Sequence, residues 1–135
     1  MQQLYNDGLA LSDEAFEAAG VAWWTMEIPS GIVFFHANKL RMLGREKEQF
    51  VHYQDFVNIV HPDDRDSCMT AMYDLLESRS NLYETVYRIQ HRDGSYKTFY
   101  DKGRITQKSE ESVRVSGIVF DVQSLGSKLR DALAE

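Results

Sequence analysis

The densest polar cluster in the chain is His61-Pro62-Asp63-Asp64-Arg65. A histidine followed within three positions by two carboxylates has the makings of a general base with an orienting acid, or of part of a metal shell. The same residues also satisfy every rule for a helix start. Proline is tolerated at the first helical position, and carboxylates in the first turn meet the positive end of the helix dipole. The capping reading is therefore preferred for His61. Cys68 is the only thiol. It recurs with Met72 and Leu76 at helical spacing, where a cysteine is usually an inert core residue rather than a nucleophile. The four histidines, His36, His52, His61 and His91, form no pair three or four residues apart, so a metal site has no local signature. No glycine-rich phosphate loop, His-Glu-x-x-His or Gly-x-Ser-x-Gly motif occurs. An enzyme built on His61 and Asp64 would have neither nucleophile nor metal, so a non-catalytic module is expected.

Two aromatic groups remain. Trp23 and Trp24 point to opposite faces of one strand, so one ring joins the core and the other meets the N-terminal helix or a second subunit. Tyr83, Thr85, Tyr87 and Ile89 share one strand face, either the floor of a ligand cavity or part of a filled core.

The elements that would carry these residues fit one domain of 135 residues, long enough to bury a core without staples. A net charge of −6 argues against nucleic acid and anionic membranes as partners, because both need clustered Lys and Arg. The longest apolar runs, 21–24 and 31–35, are far short of the roughly 20 residues that cross a bilayer. The first residues lack the pattern of a signal peptide, and a single cysteine forms no internal disulfide. A cytoplasmic setting is expected.

Ser12 is read as the cap of a short helix over 13–19, with Leu11 and Phe16 spaced as a hydrophobic staple and Gly20 as its stop. Strands are expected at 21–28 and 32–36, joined by the turn residues Pro29-Ser30-Gly31. A short helix over 37–43 ends at Gly44, and 46–60 holds one or two more. A longer helix runs from Pro62 to about Ser78. The period then changes to two. Strands at 82–91 and 95–106 flank Asp93-Gly94, a hairpin turn, and a fifth covers 113–122. Hairpins around a central helical block argue for an α+β fold with an antiparallel sheet. The tail, 124–134, is helical by composition, and Val122, Leu125, Leu129 and Ala132 begin a heptad seam. It either packs back on the domain or leads into a continuing chain.

Four segments in order carry a family pattern: Asn38-Lys39-Leu40 to Leu43-Gly44, Val60-His61-Pro62-Asp63-Asp64-Arg65, Tyr87-Arg88-Ile89 with Arg92-Asp93-Gly94-Ser95-Tyr96, and Gly117-Ile118-Val119-Phe120-Asp121-Val122. Together they span about Ala19 to Gln123, and the chain resembles a PAS sensory domain of the subgroup with a His-Pro-Asp-Asp-Arg helix start. The resemblance implies a five-stranded antiparallel sheet in the order 2-1-5-4-3, with short helices over one face and flanking N- and C-terminal helices. It divides the chain into an N-terminal helical extension at 1–20, a PAS domain at 21–123 and a C-terminal signalling helix at 124–135. It implies a regulatory input domain, a homodimer, attached to an output such as a histidine kinase or diguanylate cyclase. A family pocket between sheet and helices makes Phe35, Met42, Phe56, Met72, Tyr87 and Phe99 the candidate lining residues. The family's closing Asp-Ile-Thr is replaced here by Asp121-Val122-Gln123; Ser124 is expected to take over the threonine's helix cap. Phe99 stands where many members carry tryptophan.

No Asn-Cys-Arg-Phe stretch of the flavin-binding members occurs, and the helix after Pro62 has no histidine beyond its cap to ligate haem. Flavin and haem are accordingly not expected; a small organic ligand or none remains. The alternative reading is a ligand-free dimerisation module, and cavity volume discriminates between the two. Ligand sites usually exceed roughly 300 Å³.

Overall fold

The computed structural model describes residues 13–134. Five strands, β1 (Val21–Ile28), β2 (Val33–Phe35), β3 (Tyr83–Gln90), β4 (Tyr96–Lys108) and β5 (Val113–Asp121), form one antiparallel sheet in the order β2-β1-β5-β4-β3. Helix α1 covers 13–19; α2 (Asn38–Leu43), a 3-10 turn (Lys47–Gln49), α3 (Tyr53–Val57) and α4 (Pro62–Leu76) lie between β2 and β3; α5 (Val122–Ala134) follows β5. The expected fold class and strand order are those observed. The expected cap at Ser12 and the contribution of Leu11 to a staple lie outside the described residues.

Strand periodicity places Ala22, Trp24, Met26, Tyr83, Tyr87, Ile89, Phe99, Val115 and Val119 on one face, where all are buried. They pack beneath Leu40, Leu43, Phe56, Val60 and Leu75 from the helical block. Burying one such side chain contributes about 2 kcal/mol. The opposite face leaves Trp23, Phe34, Val86 and Ile118 exposed. Trp24 thus joins the core, while the Trp23 ring lies 6.3 Å from that of His36, which in turn meets Phe16 of α1 at 5.4 Å.

All four histidines do the same local work. In each, Nδ1 accepts the backbone N–H two residues on: Asn38 for His36, Gln54 for His52, Asp63 for His61 and Asp93 for His91, at 3.0–3.1 Å. Two of these bonds cap α3 and α4. A neutral ring used this way carries its proton on Nε2. Replacing His61 with alanine is expected to cost about 1 kcal/mol of stability in a urea titration, with most of it recovered by His61→Asn. An unchanged midpoint for the alanine variant would contradict the assignment.

The other residues of the polar cluster fasten α4 to its surroundings. Asp64 accepts two bonds from the Arg88 guanidinium on β3, at 2.8 and 2.9 Å, and one from the Arg88 backbone N–H at 2.8 Å. Arg65 donates to the carbonyls of Val60 and Asn58. The Arg88 side chain beside Asp64 holds its carboxyl down at about 2. A folded value below the unfolded one means that the clamp stabilises fully above the ordinary carboxylate range and is lost as pH falls towards 2. Arg88 is nearly half exposed, so solvent screening keeps the effect to about 1 kcal/mol. The acid limb of a pH–stability curve should flatten by that amount in Asp64→Asn.

Two junctions differ from expectation. β2 is shorter than 32–36, because Ile32 forms an isolated bridge with His52 and His36 turns away to cap the α2 entry. Helix α5 begins at Val122 directly rather than at Ser124. Asp121 provides the cap, with its Oδ1 accepting the Ser124 backbone N–H at 3.2 Å, so Ser124 is capped rather than capping. The buried Asp121 also pairs with Lys97 at 3.4 Å, and Gln123 Oε1 accepts the Thr98 backbone N–H at 2.9 Å. Lys128 donates to the Ala18 carbonyl, which ties α5 to α1.

Candidate ligand cavity

Between the inner sheet face and helices α3 and α4 lies a cavity of about 330 Å³. Met26, Ile28, Val33, Val57, Val60, Met69, Met72, Leu76 and Ile89 make most of its wall apolar. Two of its lining residues, Pro29 and Tyr73, are exposed. The stripe read on α4 explains itself here: Cys68, Met72 and Leu76 are only partly buried because they face this space.

One end is polar. The Trp24 indole crosses the sheet above Gly117, its register partner on β5, and Gly103, the partner of Gly117 on β4. A Cβ at Gly117 would stand 2.5 Å from both the indole and the Lys102 carbonyl, so only glycine leaves room for the ring. From that slot Trp24 Nε1 donates to Asp101 Oδ1 at 2.6 Å, while the Tyr87 hydroxyl donates to Oδ2 at 2.9 Å. Asp101 is 4% exposed, and its burial pushes its carboxyl above the usual range, against the pull of Lys39 and the two donors.

Lys39 enters from α2. Its neighbour Asn38 is also buried and ties α2 to β1 through an amide bond to the Val21 carbonyl at 2.9 Å, which fixes the direction of the helix. Lys39 is 5% exposed, and its Nζ rests 3.8 Å from the centre of the Phe56 ring, a cation–π contact. Burial lowers its pKa to about 8, partly offset by the Asp101 charge. Tyr83 and Tyr87, both buried, have phenols pushed well above the usual range by desolvation and then by Asp101. Burial likewise raises the Cys68 thiol to about 11, with Thr85 3.8 Å from its sulfur. A thiol held protonated on an apolar wall is a poor nucleophile.

Of the six residues expected to line a ligand pocket, the structure places Phe56, Met72 and Tyr87 on the wall of this cavity. Phe35, Met42 and Phe99 stand behind the wall. Phe35 packs edge-on against Phe56, Met42 lies partly buried against the core, and Phe99 is fully buried with its ring 6.2 Å from that of Tyr87. Lys39, Asp101 and Trp24 were missed. The available signal was parity: Asp101 alternates with Phe99 and Gly103 on the inward face of β4, and Lys39 lies one turn before the buried Leu43. Among the described residues no cluster of metal-ligating side chains occurs.

Comparison with known proteins agrees with this architecture. A sensory box histidine kinase/response regulator from Burkholderia thailandensis E264 superposes with a TM-score of 0.66 at 24% identity, over 89% of each chain. The N-terminal domain of a diguanylate cyclase with PAS/PAC sensor from Marinobacter aquaeolei gives 0.68 at 20% identity, over 76% of this chain and 94% of that one. A PAS domain from Colwellia psychrerythraea gives 0.60 at 20% identity, over 84% and 95% respectively. No curated protein sequence matches the chain. A family profile described as the PAS fold matches residues 32–119, well over half of the length. That match spans β2, the helical block, β3, β4 and most of β5, and the chain belongs to the PAS-fold family.

Proposed function

We propose that the chain is a non-catalytic sensory input domain that binds a small organic molecule between its sheet and helices and reports occupancy to an attached output domain. The cavity carries this reading. Its volume of about 330 Å³ exceeds the roughly 300 Å³ at which ligand sites begin, which favours a ligand over a filled core. A ligand acts by binding one arrangement of sheet and helices better than another, and α5 is the natural reporter because it is fastened to β4 at its root. Similarity to sensor domains named for a histidine kinase and a diguanylate cyclase supports outputs of those kinds. The helix start at 61–65 supports membership of the PAS subgroup so marked, and the absence of a long apolar helix among the described residues is compatible with a cytoplasmic setting.

The exposed Val122, Leu125 and Leu129 on α5 support a homodimer through a continuing helical seam. Light scattering at high micromolar concentration should return a dimer, and a monomer would reject it. For the ligand reading, a native mass spectrum and absorbance spectrum of the purified chain should show a retained small molecule. Hydrogen exchange at the α5 root should slow when the cavity is filled. A bare mass, together with a melting temperature unmoved by small organic acids, alcohols and amines, would overturn it.

A further inference from the structure

Of the two charged groups on the cavity wall, Lys39 and Asp101, one has no hydrogen-bond partner among the described residues. We infer that its ligand is an apolar molecule with a carboxylate head, the head held by the Lys39 ammonium and the body laid along the methionine and aliphatic wall. This rests on the reading of the cavity as a ligand site and assigns the chemical class of what enters.

Among the described residues, Lys39 Nζ has no hydrogen-bond or ion-pair partner and rests over the Phe56 ring. Lys39 lines the cavity, and its ammonium carries three donors. Asp101, the opposite charge on the wall, already has both oxygens engaged by buried donors, Trp24 and Tyr87. Asp101 thus has its hydrogen bonds made, whereas Lys39 feels Asp101 only as a nearby charge and has no acceptor for its N–H groups. A cationic ligand would meet Lys39 as a like charge and find Asp101 occupied. A neutral hydrocarbon would leave the ammonium as it stands. An anionic oxygen supplies what the site lacks, and charge-assisted bonds to it are stronger than those to a neutral acceptor. With a pKa of about 8, Lys39 keeps its proton at neutral pH even before an anion arrives.

The rest of the wall selects the body. Met26, Met69 and Met72 are pliable side chains that adapt to an unbranched or irregular apolar shape.

The test uses octanoate and octan-1-ol, which share a tail and differ in the head. Titration calorimetry at pH 7 on the unmutated chain should show octanoate binding roughly tenfold to hundredfold more tightly than the alcohol. Lys39→Met should lose that preference, bringing octanoate down to the level of octan-1-ol. Equal affinities in the unmutated chain would overturn the head-group assignment while leaving the cavity as a ligand site. Binding of neither probe would overturn the ligand reading as well. Should Lys39→Met fail to fold, the Lys39 side-chain NMR signals in the unmutated chain decide. They should move with octanoate and stay still with octan-1-ol, and signals unmoved by octanoate would overturn the proposal.

Discussion

Replacing Asp101 with leucine is expected to remove roughly 3–5 kcal/mol of stability, the usual cost of breaking a buried charge pair from one side. Two losses combine. Trp24 Nε1–H and the Tyr87 hydroxyl are left as buried donors with nothing to accept them, each a penalty of about 1–3 kcal/mol. Lys39 also loses the charge that supports its protonation and moves further below its present pKa of about 8. Domains of this size are stable by about 5–15 kcal/mol, so urea unfolding should place the variant near the edge of folding. A loss below about 1 kcal/mol would show that Asp101 is not the hub described.

The same pair gives the unmutated chain a pH signature. The folded chain releases the Lys39 proton near 8 and the unfolded chain near 10.5. Between these values the unfolded state binds more protons, so stability rises with pH. Lys39 burial costs about 3 kcal/mol at neutral pH on this reckoning. The other groups on the wall work the opposite way at higher pH. Cys68, Tyr83 and Tyr87 have raised values, so they hold protons longer in the folded state and stability falls as pH climbs past their unfolded values. The Lys39 contribution is therefore cleanest between pH 8 and 9, a gain of about 1 kcal/mol that Lys39→Met should erase.

The second large effect is expected at Gly117. Alanine there brings a methyl group to 2.5 Å from the Lys102 carbonyl and from the Trp24 ring. The carbonyl belongs to a paired strand and cannot step aside, so the indole must tilt and give up its bond to Asp101. Overpacking of this kind costs about 3 kcal/mol. Tryptophan fluorescence should shift as Trp24 moves, and octanoate affinity should fall as the ring enters the cavity. A variant with unchanged stability and emission would show that the slot is not tight.

The strands were the most legible part of the fold. β1, β3 and β5 lie within a residue or so of expectation because alternation and turn chemistry act locally, as at Asp93-Gly94. One miss is a place where a distant partner decides, the other one where the preceding residue takes the cap. Ile32 leaves β2 for a bridge to His52, and α5 starts early because Asp121 can cap it. At the cavity, apolar character pointed to Phe56, Met72 and Tyr87 but equally to Phe35, Met42 and Phe99, since hydrophobicity marks an interior without saying which side faces empty space. Nothing local marks Lys39 and Asp101 as buried, since most charged residues lie on the surface. Their burial depends on each other, on Trp24 and on Tyr87, residues up to 77 positions away from Asp101 in the chain.

Under the proposed function the root of α5 would serve as the fulcrum of a lever. Asp121 and Gln123 grip Lys97 and Thr98, just ahead of Asp101, the β4 residue that lines the cavity. The arm beyond is 13 residues, about 20 Å at 1.5 Å per residue. A rocking of β4 by about five degrees thus sweeps the far tip through about 2 Å, the scale of displacement at which packed helices exchange one seating for another.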